Sequence, residues 1–93
     1  MPHEQTLSQP DRSQLAILRR QAVESLTGER KSTLYEKIAR GLFPASIKLT
    51  GSRAVGWPAH EVRAVNAACI AGVSEEEMRG LVARLMAERK AYA

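Results

Sequence analysis

The chain has 93 residues, 44% of them apolar, a formal charge of +4 and one cysteine. That length makes one small domain with room for an extra helix or tail, and the single Cys69 excludes an intramolecular disulfide or a multi-cysteine zinc site. The longest apolar run, Ala67-Ala68-Cys69-Ile70-Ala71, is too short to cross a bilayer, and no signal-peptide pattern opens the chain, so a cytoplasmic protein is expected.

Residues 1–13 are polar, hold Pro2 and Pro10 and show no periodicity, which predicts a disordered N-terminal tail. Leu15-Ala16-Ile17-Leu18 is too brief to classify by period: it is a strand or an extended lead-in. From Arg20 to Leu26, Ala22, Val23 and Leu26 recur at helical spacing, and Thr27-Gly28 supplies the left-handed stop. A second helix starts at Arg30 or Lys31 and ends at Gly41. The three or four residues between these helices are the connection of a helix-turn-helix.

Pro44 pushes Phe43 into extended geometry. Ile47-Lys48-Leu49-Thr50, Gly51-Ser52 and Arg53-Ala54-Val55-Gly56-Trp57 then read as strand, two-residue turn and strand, with Gly51 tolerating positive φ. Pro58 marks a helix start. Val62, Val65, Asn66 and Cys69 follow one face of that helix, and Gly72 stops it. Ser74 and Glu77 form a capping box. The helix it opens carries the stripe Met78, Leu81, Val82 and Leu85. This stripe either packs back onto the domain or pairs with a second copy in a homodimer.

Charge is concentrated in one window. Residues 29–53 hold Arg30, Lys31, Lys37, Arg40, Lys48 and Arg53 against Glu29 and Glu36, which accounts for the whole net charge. Leu34, Tyr35 and Ile38 cluster on one side of the second helix. Ser32, Thr33, Glu36, Lys37 and Arg40 fall opposite, in the pattern of a helix that enters a DNA major groove. Tyr35 is expected mainly in the core, with its hydroxyl free to reach a phosphate. Lys48, Ser52 and Arg53 form a basic hairpin wing. Taken alone, each feature also suits an ordinary solvated helix or a charged strand edge.

No catalytic set is apparent, and no metal or cofactor is expected. His60 beside Glu61 reads as a surface pair, and Cys69 as a small core residue.

The motifs Leu26-Thr27-Gly28, Lys31-Ser32-Thr33-Leu34-Tyr35 and Gly41-Leu42-Phe43-Pro44 resemble those of the AlpA-type phage regulators. So do Ile47-Lys48-Leu49, Arg53-Ala54-Val55-Gly56-Trp57 and Glu61-Val62, in the right order between Ile17 and Ala71. These are small winged-helix proteins related to excisionases and MerR-like domains. The resemblance implies a helix after Thr-Gly for the major groove, and a wing for the minor groove or phosphates. It also implies a regulator of a prophage or mobile element, or an excisionase-type directionality factor that bends DNA for an integrase partner. Departures occur at Glu29, Arg30, Glu36 and Lys37, so the family's base preferences do not transfer through positions 36 and 37.

The expectation is therefore a mainly α protein with a small β-hairpin wing. A winged helix-turn-helix spans residues 14–72, and a C-terminal amphipathic helix spans 73–93. Its proposed DNA-binding residues are Arg30, Lys31, Ser32, Thr33, Tyr35, Lys37, Arg40, Lys48, Ser52 and Arg53, with double-stranded DNA as partner. The competing expectation is a protein-interaction module that docks through the C-terminal helix.

Overall fold

A computed structural model describes residues 15–92, and the predicted N-terminal tail lies outside them. The order is β1 (Ile17–Leu18), α1 (Arg20–Thr27), α2 (Lys31–Ala39), β2 (Ile47–Lys48), β3 (Val55–Pro58), α3 (Ala59–Ala71) and α4 (Glu75–Ala87). A short 3₁₀ helix, Glu88–Tyr92, follows. This is a mainly α winged-helix fold with a C-terminal helix, as expected.

Three residues separate the first two helices. Gly28 takes φ 75°, and its N–H donates to the Glu24 carbonyl. The Thr27 hydroxyl donates to the Val23 carbonyl at 2.8 Å and accepts from the Glu29 N–H at 3.2 Å. A hydroxyl that serves both sides of a turn fixes the angle at which the chain leaves one helix for the next.

The brief apolar run becomes a strand. β1 pairs antiparallel with β3, Leu18 opposite Trp57, and β2 pairs with β3 on the other side, Ile47 opposite Gly56. β3 is thus the centre of a three-stranded sheet. The wing loop is longer than the two residues predicted, because Leu49 N–H donates to the Ala54 carbonyl and leaves residues 50–53 as the loop. Ser52 N–H bonds the Leu49 carbonyl, and Gly51 occupies the third turn position at φ 81°, a geometry that demands positive φ there. The Ser52 hydroxyl, accepting from Ala54 N–H at 2.9 Å, completes the wider loop.

Trp57 is wholly buried at the centre of the core, among Val23, Leu34, Phe43 and Val62. Its indole N–H donates to the Pro44 carbonyl at 2.9 Å, which satisfies a polar atom that would be costly to bury alone. Tyr35 and Phe43 approach it edge-on, with centroids 6.3 and 6.4 Å away. Tyr35 corrects its core assignment: the ring touches Trp57 from outside and stays 40% exposed.

The capping box of α4 is present in both directions, with Ser74 and Glu77 exchanging bonds of 3.1 and 2.9 Å. Met78, Val82 and Leu85 are buried in the same core cluster as Trp57, and Leu81 packs against it. Of the two expected readings of the stripe, the structure shows the packing back onto the domain, with Leu81 its half-buried member.

Two assignments on α3 change. Its buried side runs through Glu61, Val62 and Val65, with half-buried Ala68 against the core. Asn66 sits at the edge and donates to the Leu26 carbonyl at 2.9 Å. Cys69 falls outside this stripe and is exposed, not a core residue. Glu61 is not half of a surface pair with His60: it is fully buried and ion-paired to Arg89. The His60 ring instead lies 5.6 Å from that of Tyr92 at a tilt of 54°, its Nδ1 buried without a hydrogen-bond partner among the described residues.

Candidate nucleic-acid interface

α2 is held by buried Leu34 and half-buried Ile38, which leaves Ser32, Tyr35, Glu36, Ala39 and Arg40 exposed along its outer side. The two flanks of that side differ. Lys31 lies one turn before Tyr35, on the flank whose ring touches Trp57 of β3, so this flank faces the sheet that carries the wing. Lys37 and Arg40 lie on the other flank, toward the α1–α2 turn and α4.

The start of α2 is open. Its N-cap is Arg30, with no side chain bonded to the first-turn amides. An α-helix leaves its first N–H groups without intrahelical partners, and they attract anions together with the positive end of the helix dipole. Arg30 and Lys31 stand at that end, both exposed. At the wing, Lys48 and Arg53 flank the loop and are exposed too. None of these four cations makes an ion pair among the described residues.

Lys37 and Arg40 are different. Lys37 is half-buried and ion-paired to Glu29. Arg40 donates from Nη2 to both carboxylate oxygens of Glu75, at 3.0 and 2.9 Å. Arg79 ties this contact down, donating to the Arg40 carbonyl at 2.9 Å and reaching Glu75 at 3.5 Å. Thr33, expected on the outer face, is half-buried as well. So the ten predicted residues divide. Arg30, Lys31, Ser32, Tyr35, Lys48, Ser52 and Arg53 are exposed, and none of them is in an ion pair among the described residues. Arg40 is exposed but held, and Lys37 and Thr33 are partly withdrawn.

The family model for the prophage CP4-57 regulatory protein (AlpA) matches residues 16–67. The chain belongs to the AlpA family. It is also 43% identical over 63 residues to an uncharacterized protein, ORF88, of Enterobacteria phage P4, over 68% of this chain and 70% of that protein. No solved structure matches it significantly.

The AlpA match runs from β1 into α3 and contains all ten predicted residues. It stops before α4, so Glu75 and Arg79 lie beyond the AlpA segment although they touch Arg40 at the C-terminal end of α2. No sequence pattern announces these two partners. Glu75 was legible only as a helix-capping charge, and its contact with Arg40 spans 35 positions with no local spacing to announce it. Among the described residues, no helix is long and apolar enough to cross a membrane.

Proposed function

We propose that this AlpA-family regulatory protein binds duplex DNA and controls genes of a prophage or related mobile element. α2 enters the major groove and the wing follows the adjacent minor groove or backbone. The observation that carries this is a set of exposed cations with no ion pair among the described residues, Arg30 and Lys31 at the uncapped start of α2 and Lys48 and Arg53 on the wing. Cations without protein partners keep their full charge for phosphates, and each phosphate neutralised releases condensed counterions.

Roles follow from position. Lys31, Arg30 and the first-turn amides take phosphates on one side of the groove, and Lys48 and Arg53 take them at the wing. The Ser52 hydroxyl accepts inside its loop and keeps its proton to donate outward. Ser32 and Glu36 are placed to read base edges, Glu36 by accepting from a cytosine amine. The Tyr35 hydroxyl reaches the backbone at the sheet-side flank. One such module reads few base pairs, so several copies on repeated sites are expected.

Selection of bound duplexes from a random pool tests this. Enrichment of one short motif, with affinity that falls as salt rises, is the expected result. A pool that stays random and is not retained even at low salt would contradict it.

A further inference from the structure

We infer that Glu75 is a built-in competitor of DNA phosphate for Arg40, so that the start of α4 sets how strongly the recognition helix binds. The inference rests on the DNA-binding function proposed above. Arg40 stands at the end of the outer side of α2, yet its guanidinium holds both oxygens of Glu75, and Arg79 holds the adjacent carbonyl. All three side chains are close to half exposed. An exposed ion pair of this kind is a weak contact, screened by solvent and salt. It is strong enough to hold Arg40 in the free protein, and weak enough to yield to a phosphate that brings counterion release with it.

When Arg40 turns to a phosphate, the Glu75 carboxylate loses its closer partner, keeps Arg79 at 3.5 Å and draws in a cation from solution. Part of the gain from releasing DNA counterions is thereby cancelled. Glu29 stands in the same relation to Lys37 on the same flank. The sheet-side flank, with Lys31, has no such competitor among the described residues. Affinity is thus divided: one flank always available, the other available at the cost of an internal contact.

The test is duplex binding of the full chain at several salt concentrations, with E75Q, E76Q, R40Q and the E75Q/R40Q pair. Glu76 is exposed on the same turn with no ion pair among the described residues, so E76Q reports the removal of one negative charge alone. E75Q is expected to tighten binding about two- to fivefold beyond E76Q and to steepen the salt dependence by up to about one ion. In the R40Q background that extra gain disappears. Equal behaviour of E75Q and E76Q, or a gain that persists without Arg40, overturns the inference while DNA binding itself stands. A parent chain that binds no duplex at any salt removes both.

Discussion

Arg89 closes on Glu61 with two hydrogen bonds, Nε at 2.8 Å and Nη2 at 2.7 Å, and the carboxylate it grips is completely buried. The same Nη2 donates to the Ala45 carbonyl at 2.7 Å. One guanidinium thus ties the terminal 3₁₀ helix to α3 and to the loop that precedes the wing. Removing one partner of a buried pair strands the other charge, which costs about 3–5 kcal/mol, whereas replacing both with apolar groups costs little. Arg89→Ala is expected to destabilise the fold by about that amount in urea unfolding. The double variant Glu61→Leu with Arg89→Met recovers most of it. A shift of Arg89→Ala within about 0.5 kcal/mol would show that the pair is not what holds the C-terminus.

Gly56 of β3 lies tight against β1. A Cβ built there would meet Ile17 Cγ2 at 2.6 Å and the Leu18 carbonyl oxygen at 2.9 Å. Ile17 can rotate away, but the carbonyl belongs to the paired strand and cannot. Gly56→Ala is expected to cost about 1–3 kcal/mol by overpacking and to loosen β1 selectively. Amide exchange shows it as lost protection of Ala59 N–H, which bonds the Ala16 carbonyl at 2.8 Å. Unchanged protection would refute the close-approach argument.

The buried stripe of α4 separates a folding element from a pairing surface. Leu85→Ala is expected to cost about 2–5 kcal/mol, and Val82→Asp to abolish cooperative folding. Ile70, 87% exposed on α3, should accept serine with a change within about 0.5 kcal/mol. Sedimentation together with circular dichroism decides the matter. A Val82→Asp chain that stays folded and merely changes from dimer to monomer would contradict the buried assignment.

Much of this fold is written locally. The Thr27-Gly28 stop, the Ser74/Glu77 capping box and Gly51 in the wing each act within four residues, so spacing alone reveals them. Apolar period placed Val23, Leu34, Val62 and Val82 correctly. It failed for Leu26 and Cys69, both at helix ends that run past the core, where the period continues but the protein beneath it stops. The family motifs and the cationic window were also legible. The partners of those cations were not. Glu61 with Arg89 and Arg40 with Glu75 join residues 28 and 35 positions apart. A lone glutamate carries no mark in sequence of whether it will be buried, capping or paired.

Two exposed lysine or arginine positions bear most directly on the central claim that α2 and the wing clasp one duplex: Lys31 on the sheet-side flank and Arg53 on the wing. The decisive measurement is duplex affinity against salt for the parent, Lys31→Ala and Arg53→Ala. Each substitution is predicted to weaken binding to all sequences and to lower the magnitude of the log–log salt slope by about one. Affinity and slope unchanged from the parent in both variants would contradict the account.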